Sequence, residues 1–569
     1  MAKVEWPDRA ESRAEMNATR TTCPFCLNGC TSGVEFNGVV HQMHYFTDAE
    51  VNKGRLCPRG NSANIVLDHR DRLCRPLLDG RDTTWSEAEA LVRTWLAEVK
   101  PEELAVVYSR GRAADEVRRL HGLAEELGTP NLACGHIEPE NCFNYRLEGV
   151  RDAGLADIES ATAMLLVGDV FSTSPVASWR MLDARYKDRK NRMVVVDSVR
   201  TRQAGFAHSF VQVRPGTEPF ALLALAALIE SGLAPGVDVD RYVELAGVKR
   251  QQLEAAAAML GPAMPGFVAS AMHTGRVRHP AFHSLAGQLV ARAGVKPFVG
   301  FRETELPSGP MRFADLRRKM AEGSIKLLFW TGGLFPFSYA ELLPEAAKVE
   351  HIVATSIFRP EPPVRGLVLP LTAELERASA GRSYWGEVER SPLAAPLSGT
   401  RQFGRVLEWF GRAAEKPEAA VRPVGAADVV AMAARAVDAA RSEAADDPDR
   451  VPNRVLLLGE KKAIGLRGFH DPEDEVSVNR ADAERVEVSN HGYLMVKSPT
   501  AEREFRVRVT DAVPAGVMMV GTNVHANRCL FPLEKDELTG EVTVAPTPVS
   551  VEKTESMPVA SGENPSVWV

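Results

Sequence analysis

The sequence predicts a multidomain α/β protein with three parts: a small N-terminal sheet domain, a long central region of mainly parallel sheets, and a C-terminal β-domain. Three observations predict it. Half of the 8 cysteines fall between residues 23 and 57. From residue 76 to 445, continuous apolar strands alternate with helical patterns, which implies parallel sheets covered on both faces. Beyond residue 450 the pattern turns to β-type alternation with frequent turns.

The first segment, residues 18–75, has little helical periodicity, and GVEFNGVVHQMHYF reads as a hairpin with Asn37-Gly38 at its turn. A helix is expected at WSEAEALVRTWLAEV, followed by the strands ELAVVYS, ATAMLLVGD, RMVVVDS, IKLLFWTGG and HIVATS. The segments VGDVFSTSP and TGGLFPFSY suggest two similar α/β halves interleaved over residues 76–445. An Ala-rich helix near VVAMAARAVDAARSEA ends in the polar, proline-bearing DDPDRVPN, which reads as a linker. Residues 451–555 then carry DEVSVN, YLMVKS, EFRVRVT and GVMMVGT, the strands of a small barrel or sandwich. The end, 556–569, reads as a tail able to dock on a partner.

At 569 residues the chain exceeds a single core, and about two to four domains are expected. An apolar content of 45% and a charged content of 25% are those of an ordinary globular protein. A net charge of −7 without long single-sign blocks gives no basic footprint for nucleic acid and no polybasic membrane anchor. No apolar run reaches spanning length, and MAKVEWPDRAESRAEMNATR lacks an export signal, so a cytoplasmic location is expected.

The run TCPFCLNGC followed by GRLCPRG places Cys23, Cys26, Cys30 and Cys57 in a C-x2-C-x3-C-x26-C pattern. Three thiolates on one tight loop can cap one face of a cubane, and a distant fourth closes it, so the spacing points to a [4Fe-4S] cluster. Zinc also takes four cysteines, but its knuckles usually present two separated C-x2-C pairs. Gly29 and Gly54 supply the sharp turns. Cys74 and Cys529 have no such context and are expected to be packing residues.

Gly168 ends an apolar strand and opens GDVFSTSP, whose backbone can approach a phosphate with Ser172, Thr173 and Ser174 as donors. Gly332 opens the similar segment GGLFPFSY of the second half. Asp197 follows MVVV at a strand end, where a carboxylate can bind a nucleotide or cap a helix, and Arg200 and Thr201 follow in its loop. Gly216 and Thr217 turn the chain just before a long apolar helix, as nucleotide ligands or as its cap.

TTCPFCLNGCTSGVEFNG with KGRLCPRGNSANIVLDHRDRLCRPLL resembles the cluster domain of molybdopterin or tungstopterin oxidoreductases, most closely formate dehydrogenases, whose motif reads CPYCGVGC. The likeness extends over almost the whole chain, through MVVVDSVRTRQA, VRPGTEPFALLALA and VSVNRADAERVEVSN with RVRVTDAVPAGVMMVGT. It implies a [4Fe-4S] domain, two α/β halves each holding a pterin guanine dinucleotide, and a C-terminal β-barrel closing over the cofactor. By that resemblance Arg59 bridges cluster and pterin, where formate dehydrogenases usually carry lysine. Gly168, Ser172, Asp197, Arg200, Thr201, Gly216, Thr217 and Gly332, with Asn479, Asp482 and Asn527 of the barrel, would bind the dinucleotides.

Departures stand beside the likeness. The usual Asn of the family's GxNP-type loops is Val170 in one half and Phe335 in the other, and Gly366 replaces an expected Asp. The catalytic Mo or W ligand of the family would fall in TPNLACGHIEPENCFNYRLEG, at Cys134 or Cys142 according to the direction of counting, with His136 beside it for proton handling. Buried structural cysteine is the alternative for each. Two functions follow: a formate-dehydrogenase-like oxidoreductase, or a non-catalytic electron-transfer scaffold like the large subunit of respiratory complex I. A formylmethanofuran dehydrogenase type subunit ranks below both. Without a flavin or NAD fingerprint, the next electron carrier is expected on partner subunits of a hetero-oligomeric complex.

Overall fold

A computed structural model describes residues 19–108, 114–134, 145–233, 235–271, 277, 279–301, 311, 313–332, 343–360, 364–416, 422–446, 455–459, 475–521, 527, 530–535, 542–544 and 546–554. His136, Cys142, Phe335, Cys529, most of the expected linker and the tail 556–569 lie outside them.

Two largely parallel sheets form the centre. One has five strands in the order Ser209–Gln212, Arg192–Asp197, Ala163–Val167, Gly266–Ala271 and Phe298–Phe301, all parallel. The other has seven strands, with Leu367–Pro370, His351–Ser356, Leu327–Thr331, Leu104–Tyr108 and Asn131–Cys134 parallel and two short antiparallel strands at one edge. The five-stranded sheet is therefore inserted in sequence between Asn131–Cys134 and Leu327–Thr331 of the seven-stranded one.

Every residue of Leu104–Tyr108, Ala163–Val167 and Leu327–Thr331 is buried, as expected for strands covered on both faces. Alternation divides each between two cores: Val106 and Tyr108 face one while Ala105 and Val107 face the other. The helix Glu218–Ile229 is apolar nearly all round because other helices surround it, and helix Pro280–Ala293 is buried against it. The helix Trp85–Glu98 starts with a capping box: the Glu87 amide donates to Thr84 Oγ1 at 3.2 Å, and the Thr84 amide donates to Glu87 Oε2 at 3.1 Å.

The N-terminal unit has three antiparallel strands, Thr19–Thr22, Thr31–Phe36 and His41–His44. Asn37 shapes the hairpin turn by accepting from the Val39 and Val40 amides through Oδ1. The unit shares its core: Phe25, Val34, Val66 and Leu67 pack in one cluster with Leu104, Val106 and Leu327 of the seven-stranded sheet. Arg72 fastens the junction. Its Nη2 donates to Glu376 Oε2 at 2.7 Å, both side chains nearly inaccessible, and its Nη1 caps the Ala63–Asp68 helix at Val66 O, 3.3 Å away.

The C-terminal sheet has seven mixed strands. Its two edge strands, Thr547–Pro548 and Ser550–Thr554, are separated in sequence by Val549 alone, so the sheet curls until its edges approach. It meets the five-stranded sheet through the Arg200 amide, which donates to Ala512 O at 2.8 Å, and through Val199 packed on Val513 and Val517. No helix of the described residues is long and apolar enough to cross a membrane. Cys74 departs from expectation: it is exposed, because it sits in the surface turn that precedes strand Leu77–Leu78.

Replacing Arg72 with Met strands the buried Glu376 carboxylate and is expected to cost about 3–5 kcal/mol. In chemical denaturation followed by tryptophan fluorescence, the Arg72→Met, Glu376→Met double variant should regain most of that loss.

Candidate metal centre and the adjoining sheet edge

Cys23, Cys26, Cys30 and Cys57 line one cavity with Phe25, Leu56, Pro175 and Val176. The Cys23 amide donates to Cys30 O at 2.7 Å and closes the loop on itself. Burial, and then repulsion from neighbouring cysteine thiolates, pushes the Cys23 and Cys30 thiols well above the ordinary thiol range. Arg59 offsets part of that cost at Cys23, and a cationic metal in the cavity would offset more. Among the described residues no group of three or more His, Cys, Asp or Glu converges on a single metal ion. Four thiols around one cavity are the donor set that a [4Fe-4S] cluster takes.

The loop is held from far away in sequence. The Tyr384 amide donates to Leu27 O at 2.8 Å, and Trp385 Nε1 donates to Asn28 O at 2.9 Å. Gly29 has φ +71, and a Cβ on it would stand 2.9 Å from Ser383 Cβ, so the close approach of this hairpin needs glycine. Helix Pro175–Lys187 supports the other side: Arg180 Nε donates to Val51 O at 2.8 Å, and the Arg55 guanidinium stacks 3.3 Å from the Trp179 ring centroid.

Arg59 is buried, and its Nη2 donates to Thr173 O at 3.0 Å. This bond joins the cysteine segment to the loop that follows Gly168, at the carboxyl edge of the five-stranded sheet. Gly168 has φ +69, and a Cβ there would stand 2.1 Å from Ala271 O. Gln203, from the loop after Asp197, accepts from the Phe171 amide at 3.2 Å and donates to Gly168 O, which ties the two loops together. Of the expected donors, Thr173 gives its hydroxyl to Asp169 O at 3.0 Å and Ser174 gives its own to Asn28 Oδ1 at 2.9 Å, while Ser172 is half-buried.

Asp197 is buried and accepts from the Val199 amide at 3.1 Å, closing a turn rather than capping a helix. Arg200 is exposed, its guanidinium 5.4 Å from the Phe210 ring centroid. Gly216, at φ +78, and Thr217 are half-buried, and the Thr217 hydroxyl donates to Arg214 O at 2.7 Å. Gly332 is buried at the end of Leu327–Thr331, its amide donating to Thr355 O at 3.1 Å. Cys134 is buried at the carboxyl end of Asn131–Cys134.

In the C-terminal sheet, Asn479 caps helix Arg480–Arg485 through the Ala481 amide at 2.9 Å and donates to Val513 O at 2.8 Å. Asp482 accepts from the Gly516 amide at 2.6 Å and from Arg485 at 3.1 Å. Both therefore brace the 510–516 loop that meets Arg200. Gly366, the position of the expected Asp, has φ +111 and exchanges hydrogen bonds with Asp79.

Sequence reasoning did not single out Ser198, Ser270, Trp385 or Asn28. Ser198 Oγ, Thr201 Oγ1 and Ser270 Oγ, all at or just beyond the carboxyl edge of the five-stranded sheet, are buried with no hydrogen-bond partner among the described residues, as is Asn527 Oδ1. Each such oxygen costs about 1–3 kcal/mol if left unpaired, so the edge fits a polar bound group.

Residues 16–68 match the molybdopterin oxidoreductase Fe4S4 domain. The F420-dependent formate dehydrogenase subunit alpha of Methanocaldococcus jannaschii is 28% identical over 233 residues, 38% of this chain and 33% of that protein. The nitrate reductase of Klebsiella oxytoca is 26% identical over 271 residues, 42% of this chain and 31% of the relative. The matched stretches thus span about a third of these relatives' length. In fold, the chain is similar to acetylene hydratase from Pelobacter acetylenicus, with a TM-score of 0.72 and 13% identity over 94% of this chain and 100% of that one. The fold and the N-terminal match define a mixed α/β protein with a [4Fe-4S] domain. The N-terminal domain and these relatives make the chain similar to the molybdopterin oxidoreductases.

Substituting Gly168 with Ala adds left-handed strain to a clash with the Ala271 carbonyl. The expected loss is more than about 2 kcal/mol, read as a lower thermal midpoint.

Proposed function

We propose that the chain is the pterin-bearing subunit of a formate-dehydrogenase-like oxidoreductase, working in the cytoplasm with partner redox subunits. The observation that carries the proposal is the Arg59 bond to Thr173 O, which sets the four-cysteine cavity beside the loop after Gly168. When bound, a molybdenum or tungsten pterin supplies two-electron chemistry on a small substrate, and a [4Fe-4S] cluster on Cys23, Cys26, Cys30 and Cys57 supplies one-electron transfer to the partners.

The protein's part is to bind, orient and exclude water. Arg59, buried between the cysteine segment and the loop after Gly168, would set a fixed cation beside the groups held there. The glycines at 168, 216 and 332 give backbone access, and Ser172, Asp197, Arg200, Thr201 and Thr217 supply polar contacts to a dinucleotide, with Ser198 and Ser270 behind them. The curled C-terminal sheet is proposed as the barrel that closes over it. In that closure Asn527 offers Oδ1, while Asn479 and Asp482 act by bracing the 510–516 loop. Phe25, Leu56 and Val176 keep water from the cysteine cavity. Cys134 or Cys142 is the proposed ligand of the catalytic metal, with His136 as its proton-handling neighbour.

A scaffold without pterin chemistry is the second reading. It is favoured by the loop after Gly168, which carries Val170 at the family's Asn position and turns two of its three hydroxyls inward.

Metal analysis of anaerobically purified protein decides between them. About four iron atoms together with about one Mo or W per chain are expected; iron alone rejects the catalytic reading. With formate and a viologen dye, either Cys134→Ala or Cys142→Ala is expected to lose more than about tenfold in rate, and full activity in both variants rejects the ligand assignment.

A further inference from the structure

Asn28 lies inside the cysteine loop yet is not one of its ligands. It stands where the formate dehydrogenase motif CPYCGVGC carries valine, so an apolar residue fits the loop and the amide has a separate role. The side chain is almost wholly buried. Its Nδ2 donates to Cys30 Sγ at 3.0 Å, and its Oδ1 accepts from Ser174 Oγ at 2.9 Å. A thiolate accepts and cannot donate, so the end of the amide facing sulfur must be the N–H end. Ser174 is fully buried as well, and its amide donates to Val170 O at 2.9 Å, so the group that orients Asn28 belongs to the loop after Gly168.

We propose that Asn28, oriented by Ser174, sets the reduction potential of the cluster through an N–H···S hydrogen bond to the Cys30 thiolate. One-electron reduction adds one negative charge to the cluster and its thiolates. A donor held on sulfur in a site closed to water stabilises that charge and raises the potential. The same residue pair makes the potential depend on the Gly168 loop, because any shift of Ser174 releases the amide. Asn28 is thus a positioning residue of electron transfer and ligates nothing. The inference rests on Cys30 being a cluster ligand.

The test is a redox titration of the full chain, purified anaerobically and monitored by electron paramagnetic resonance, with iron measured in each sample. Asn28→Val is expected to lower the reduced-to-oxidised ratio at the wild-type midpoint about tenfold, which for one electron is about 59 mV. Ser174→Ala should shift the ratio the same way by less, because the donor remains but loses its orienting partner. The Asn28→Val, Ser174→Ala double variant should match Asn28→Val in potential: it removes the orphaned serine hydroxyl but leaves the missing donor. A wild-type potential in Asn28→Val with full iron overturns the proposal, as does recovery of the potential in the double variant. If Asn28→Val fails to assemble its cluster, an unshifted Ser174→Ala overturns it equally. A wild-type chain without iron would instead reject the cluster reading beneath it.

Discussion

The cysteine loop is fastened by segments far away in sequence, and much of the N-terminal architecture is built around that. Within the loop, the Cys23 amide donates to Cys30 O, Asn28 Nδ2 donates to Cys30 Sγ, and Phe25 and the two buried cysteines join the apolar core. Further constraints come from outside: Tyr384 and Trp385 on the carbonyls of Leu27 and Asn28, Ser174 on the Asn28 amide, and Ser383 against Gly29. A thiolate set that needs fixed geometry is therefore held by segments about 150 and 350 residues downstream. The N-terminal unit is an independent motif in sequence and a dependent layer in space.

The insertion of one parallel sheet between strands of the other serves the same end. It brings Gly168 and helix Pro175–Lys187 against the cysteine loops, while the hairpin beyond Leu367–Pro370 reaches the loop from the other sheet. Segments that follow strands of both sheets thus reach the cysteine loop. The carboxyl edge of the five-stranded sheet, with hydroxyls that have no partner among the described residues, lies one arginine away. The C-terminal sheet joins through Val199 and Arg200, directly beyond Asp197. Three separately patterned parts of the chain meet around one region.

How much of this was legible in the sequence depended on the range of the interaction responsible. Strands such as Ala163–Val167 and Leu327–Thr331 were readable because burial on both faces demands a continuous apolar run. The cysteine spacing was readable because ligands of one cluster leave a local signature. The fate of polar residues was less so. Thr173 and Ser174 look like phosphate donors in a string after a glycine, but their hydroxyls turn to Asp169 and Asn28. Asn479 and Asp482 carry motif positions, and their side chains brace a loop more than 30 residues on. A hydroxyl or amide has several partners of nearly equal energy, and only the packed chain selects one.

The sequence by itself determined the four thiolates, the alternation of strands and helices, and the change to β-type pattern near residue 450, because each rests on residue type and spacing along a short stretch. Tertiary structure alone decided that Arg59 meets Thr173, that Asn28 faces Cys30 under the hold of Ser174, and that Cys74 lies on the surface. Those outcomes depend on contacts between segments that no local periodicity relates. Their directional hydrogen bonds form only after the hydrophobic cores have brought the segments together.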